Sequence, residues 1–177
     1  VGLLIQQDGA DASIELTGAG GGGILFNMGT DPDTSGTATG NVLDDYEEGT
    51  WTGVFADSGA SAVMSGSYTT GSYTKIGNLV TIAGHFTATS LGSVSGAIRM
   101  AGLPFTPTNS SQFNSAISVG WAEGLAITAS GNVGAVVQAN TNYIELMMWD
   151  ATTGTTSMTG AELSADGAMR IGGTYAI

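Results

Sequence analysis

From Thr50 onward the chain is cut into nine strand-like runs of five to eleven residues, each bounded by turn-forming residues. They are TWTGVF (50–55), SYTKI (72–76), LVTIAGHFTAT (79–89), GAIRMAGL (96–103), AISVGW (116–121), LAITAS (125–130), VGAVVQA (133–139), YIELMMWD (143–150) and MRIGGTY (169–175). Gly77-Asn78 joins two of them as a tight hairpin would. Segmentation this fine, with 29 glycines, leaves no place for a long helix. The fold expected is all-β, with nine or ten strands in a β-sandwich or jelly-roll head.

Residues 1–42 differ in texture. The apolar runs GLLIQ (2–6), SIEL (13–16) and GILF (23–26) alternate with DGAD and GAGGGG, and DPDTSGTATGN (31–41) reads as linker. Each run is too short to bury itself within one chain. Copies wrapped about a shared axis would cover one another's strands. We therefore expect a glycine-rich oligomeric stem and linker over 1–42 and a head over 43–177. The chain opens at Val1, so the sequence is expected to be a piece of a longer protein.

Charge excludes several classes. The net charge is −12, and Lys75, Arg99 and Arg170 are the only cations. Phosphate neutralisation needs a basic stripe, so nucleic acid is not an expected partner. An anionic membrane surface would repel the chain, and no segment is long enough to insert. With no cysteine there is neither a disulfide framework nor a thiolate metal site.

The acids that do occur cluster in LDDYEEGTW (43–51), where Asp44, Asp45, Glu47 and Glu48 lie within five positions. Burying four adjacent carboxylates without cations is costly, so a solvated junction is favoured over a catalytic pair. Leu43, Tyr46 and Trp51 would anchor inward. LDDYEEGTW, together with GSYTKIGNLVTIAGHF (71–86), AGLPF (101–105) and GGTY (172–175), resembles the carboxy-terminal block of bacteriophage tail-fibre and tailspike proteins. One departure is Gly53, where the pattern leads one to expect proline after Trp-Thr. The resemblance implies a trimer, an extracellular place on the virion tail beside other tail proteins, and a part in host attachment. It places the acidic stretch where a narrow trimeric stem meets the head.

Several motifs fail on context. GAGGGG (18–23) satisfies G-x-G-x-x-G, but no helix pattern follows it. SYTK (72–75) satisfies S-x-x-K, yet on a strand Ser72 and Lys75 point to opposite faces. DPDTSG (31–36) opens like a calcium loop with Asp31 and Asp33 as first ligands, but Val42 stands where the bidentate glutamate belongs. An ordinary turn explains it as well, and calcium is the one cofactor carried forward. His85, the single histidine, shares an outward strand face with Thr81 and Thr87, opposite Val80, Ile82 and Phe86.

Alternation in YIELMMWD puts Ile144, Leu146 and Met148 toward a core and Tyr143, Glu145, Met147 and Trp149 on the other face. Aromatic faces suit the C–H faces of sugars, and a carboxylate can accept their hydroxyl hydrogens. Tyr143, Glu145, Trp149 and Trp121 are therefore the candidate ligand-binding residues; cover by a subunit neighbour or an opposing sheet is the competing reading. The expected function is non-enzymatic attachment to host polysaccharide or lipopolysaccharide through stacking and neutral hydrogen bonds. Two alternatives stand beside it: the end of a polysaccharide-degrading tailspike, with Glu123, Glu145 and Asp150 as carboxylates to be gathered in space, and a ligand-free decoration or assembly module.

Overall fold

The computed structural model describes residues 46–177, apart from 129, 130 and 152, and two short strands before them. The chain divides into two compact units, Val1–Asp45 and Tyr46–Ile177. In the first, β1 (Ile24–Leu25) pairs antiparallel with β2 (Val42–Leu43). The rest of the expected stem, the calcium candidates Asp31 and Asp33, and Asp44 and Asp45 of the acidic stretch lie outside the described residues.

The second unit is all-β, as the segmentation requires. Its strands are β3 (Glu47–Thr52), β4 (Val54–Ala56), β5 (Val63–Met64), β6 (Thr70–Ile76), β7 (Leu79–Ser90) and β8 (Arg99–Ala101). Then follow β9 (Ser115–Glu123), β10 (Val133–Val137), β11 (Tyr143–Ala151), β12 (Gly154–Ser157) and β13 (Ala168–Ala176). One short helix, α1 (Gly160–Leu163), precedes the last strand. Nine strands follow a single antiparallel path, β3-β6-β7-β13-β9-β10-β11-β8-β4, with β5 beside β7 and β12 beside β11.

The two ends of that path, β3 and β4, are neighbours in sequence, separated only by Gly53. The sheet thus curls until its edges are two halves of one strand, and covalent continuity closes the seam. At the opposite corner β9 changes partner: Ser115, Ala116 and Ile117 pair with β10, while Ser118 through Glu123 run along β13. Strands that switch partners in this way turn one curved sheet into two packed layers. Between the layers, Phe55, Phe86, Met100, Ile144, Leu146, Met158, Leu163 and Met169 are fully buried in one core. Each such side chain contributes about 1.5–3 kcal/mol.

One inward row explains several glycines. Trp51, Gly71, Gly84, Ile171 and Val119 lie opposite one another across β3, β6, β7, β13 and β9. The two glycines make a hollow that the Trp51 and Phe86 rings fill, with centroids 4.9 Å apart. A Cβ at Gly71 would lie 2.5 Å from Trp51 Nε1, and one at Gly84 2.4 Å from Phe86 Cε2. Gly53 abuts the same ring: a Cβ there would lie 2.6 Å from Phe86 Cε1. The Gly53 N–H also donates to Thr69 O at 2.9 Å, a bond that proline could not make.

The motifs that carry the family resemblance meet at one end of this body. The Tyr175 hydroxyl of GGTY donates to the Phe105 carbonyl of AGLPF at 3.0 Å and sits 3.3 Å from the Phe105 N–H. Burial pushes that phenol up to about 12. Tyr73 meets Phe105 edge-on at 5.3 Å, and its hydroxyl donates to Glu47. Asp57 ties two loops together by accepting from the N–H groups of Gly59, Ala60, Ser95 and Gly96 at 2.7–3.1 Å. Those four donors hold its carboxyl well below the usual range.

Three expectations need correction, and three short elements are new. Tyr46 does not anchor inward: it is 59% exposed and its hydroxyl donates to Glu48, whereas Trp51 is buried and Glu47 and Glu48 stay in water. Leu125 to Thr128 of LAITAS form no strand; Ala126 N–H bonds the Glu162 carbonyl at 2.9 Å, while Leu125 and Ile127 pack on the core from a loop. GAIRMAGL contributes only β8, because Gly102 takes φ +96 and ends the run. The short elements β5, β12 and α1 were not expected; α1 is fixed by the Thr159–Glu162 capping interaction and by Leu163 in the core. The Gly77-Asn78 hairpin forms as expected, with Gly77 at φ +57 between Ile76 and Leu79.

Candidate functional site

The site begins with a slip of register. Along β13, Ile171 faces Val119, but the next residue, Arg170, faces Trp121. Gly120 is left as an extra residue, a β-bulge. In a regular strand Val119 and Trp121 would share a face. The bulge parts them: Val119 packs on the core, and Trp121 turns outward beside exposed Arg170.

Trp121 there completes an outward row with two other chemically able side chains. His85 of β7, Arg170 of β13 and Trp121 of β9 lie opposite one another in successive strands. The Arg170 guanidinium stands 4.8 Å from the centroid of the Trp121 ring. The imidazole meets that ring edge-on at 5.3 Å and carries Tyr68 on its other flank at 4.4 Å. Tyr68 comes from the turn before β6, pinned by its carbonyl to Thr87 N–H at 3.0 Å. His85 Nε2 is buried among these rings with no hydrogen-bond partner among the described residues.

A second row, Thr87, Ala168 and Glu123, runs beside the first. Its small middle residue leaves the floor low, and the result is an open groove of about 510 Å³ that Ser65 and Asp166 also line. Rings and the guanidinium stand at one end of these rows and Glu123 at the neighbouring position. Such a groove offers apolar faces, planar N–H donors and carboxylate acceptors within one small volume.

The four residues singled out from sequence do not form one site. Trp121 lines the groove just described. Tyr143 and Glu145 are half-buried on the outer face of β11: Arg99 stands 4.4 Å over the Tyr143 ring, and Gln138 Nε2 donates to Glu145. Trp149 is 62% exposed and borders an apolar hollow of about 410 Å³ with Gly134, Val136 and Met147. Asp150 accepts from the Thr156 hydroxyl at 2.7 Å, so Glu123, Glu145 and Asp150 each have separate surroundings. The groove residues that sequence reading passed over are Tyr68, Arg170 and Asp166; alternation did put His85 on the outward face. Among the described residues no group of three or more His, Asp or Glu is placed to hold a metal ion, and no helix is long and apolar enough to cross a membrane.

No family model matches the chain, and no curated protein matches it either. Among solved structures it is similar to the crystal structure of Dettilon tailspike protein, with a TM-score of 0.65 and 18% identity. The match covers 74% of this chain and 24% of that one, so the chain spans about a quarter of the tailspike's length. At that identity the likeness is one of fold.

Proposed function

We propose that this chain is the head of a phage tail-fibre or tailspike protein, carried on the virion tail as a homotrimer with other tail proteins. It contributes to host attachment by binding cell-surface polysaccharide or lipopolysaccharide without cleaving it. The tailspike-like fold supports the virion assignment, and the motif resemblance read from the sequence points the same way. One observation carries the binding reading: a bulge spends a residue to turn Trp121 out of the core and set it beside His85, Tyr68 and Arg170 over a shallow groove. Buried indole would favour the core; an outward one beside a guanidinium and two further rings gives the groove apolar surface that suits the C–H face of a sugar. Glu123 and Asp166 accept hydroxyl hydrogens from such a ligand.

The test is a glycan array followed by titration of the best hit. Trp121→Ala weakens binding at least about tenfold, roughly 1.4 kcal/mol, while the fold is retained. An unchanged affinity would move the site elsewhere, with the Trp149 hollow next in line. Release of reducing ends from host capsule would replace binding by hydrolysis, for which Glu123 and Asp166 are the carboxylates that share the groove. Absence of any hit from a stable trimer would leave an assembly module. Mass in solution reads the trimer directly.

A further inference from the structure

Acids outnumber cations in this chain by 15 to 3, so an arginine without a carboxylate partner is unexpected. Both arginines are in that state, Arg99 over Tyr143 and Arg170 over Trp121; of the two, Arg170 is exposed and lines a groove, and among the described residues its side chain makes neither an ion pair nor a hydrogen bond. Glu123 and Asp166 line the same groove, yet neither engages it. Stacking uses the face of a guanidinium and leaves the N–H donors around its edge available. Those donors form a planar fork, matched by the two oxygens of a carboxylate.

Resting on the groove as a saccharide site, we infer that its ligand is an acidic sugar whose carboxylate is held by Arg170. The sugar ring lies against the aromatic side chains that line the groove, and its hydroxyls reach toward Glu123 and Asp166 across Ala168. This adds a charged contact to the expectation of stacking and neutral hydrogen bonds. At physiological salt, charges more than about 8 Å away are largely screened, so the groups at the site decide, not the −12 total. The two carboxylates oppose a second anion nearby, which limits the ligand to one acidic group per bound unit.

The experiment compares uronate-bearing oligosaccharides with the same oligosaccharides after reduction of their carboxyls to alcohols, titrated against the intact chain. Wild type binds the acidic form at least about tenfold more tightly, the scale of one charge-assisted bidentate contact. Arg170→Gln brings the acidic and reduced forms to equal affinity; Arg170→Lys, which keeps charge without the fork, restores only part of the preference. Glu123→Gln strengthens binding of the acidic form. Thermal melts confirm that the variants are folded. Equal affinity for acidic and reduced forms, or a preference that survives Arg170→Gln, overturns the inference while leaving glycan binding intact. Competition by glycerol phosphate but not by glucuronate assigns the fork to phosphate and overturns it as well. If neither form binds and neutral arrays are also blank, both readings fall.

Discussion

Replacing Gly84 by alanine tests whether the Trp51–Phe86 pair is fitted into a hollow made by glycines. A Cβ at position 84 would lie 2.4 and 2.5 Å from Phe86 Cε2 and Cζ, where carbon atoms prefer about 3.5–4.0 Å. The ring must therefore retreat by about 1 Å, but it is also held by Gly53 and by Trp51. Overpacking of this kind costs about 1–3 kcal/mol, offset by about 0.4–1 kcal/mol because alanine restricts the unfolded chain. The expected net loss is about 1–2 kcal/mol, a fall in Tm of about 4–8 °C for a unit of this size. Urea denaturation and calorimetry measure it. Gly172→Ala on the neighbouring strand is the control, since its Cβ would meet only Ile82 O at 3.5 Å; it should stay within about 0.5 kcal/mol of wild type. Phe86→Leu, costing about 1–2 kcal/mol alone, makes room for the new methyl, so the double variant should be no worse than Phe86→Leu by itself. Additive losses in the double variant would refute the steric account, as would a neutral Gly84→Ala.

Three further outcomes are expected. Asp57→Asn lowers Tm at neutral pH; because the folded carboxyl titrates below its ordinary value, the stabilisation is full above about pH 4, and the gap to wild type closes as acid protonates Asp57. A gap that persists unchanged at pH 2 would mean that its four N–H contacts do not depend on charge. Tyr175→Phe costs about 1–3 kcal/mol through the unpartnered Phe105 backbone groups. Since the folded phenol is raised to about 12, its ionisation in the unfolded chain erodes wild-type stability from about pH 10 to 12, and subtracting the Tyr175→Phe melts should isolate that component. Gly53→Pro loses the bond to Thr69 and crowds Phe86 and Met100, and its Tm should fall by more than that of Gly84→Ala.

The inward faces of β7 and β11 were legible because period-two alternation is local: Val80, Ile82 and Phe86, and Ile144, Leu146 and Met148, are all buried. The Gly77-Asn78 hairpin was legible for the same reason. The groove was not. His85, Arg170 and Trp121 come from strands separated by up to 85 positions of sequence, and only the pairing of β7 and β9 on either side of β13 unites them. Alternation alone would also have sent Trp121 inward with Val119, and nothing but Gly120 hints that the period breaks there. Tyr143, Glu145 and Trp149 were correctly assigned to one strand face, yet Arg99 and Gln138, which occupy the first two, are cross-strand or loop neighbours invisible to a linear pattern. The resemblance motifs proved to describe architecture, since Glu47, Tyr73, Phe105 and Tyr175 hold one another at an end of the body away from any ligand chemistry proposed for the groove.

The seam at Gly53 bears on how the unit closes on itself. Its strand is the earliest of the unit, so during synthesis it must wait for β6 on one flank and β8 on the other, the latter ending some fifty residues later. In that interval both flanks of the unfinished wall present bare peptide groups, and crowded nascent neighbours could each lend the missing piece to the other. Capture of Glu47–Ala56 by β6 and β8 is therefore the step that completes the wall within one chain.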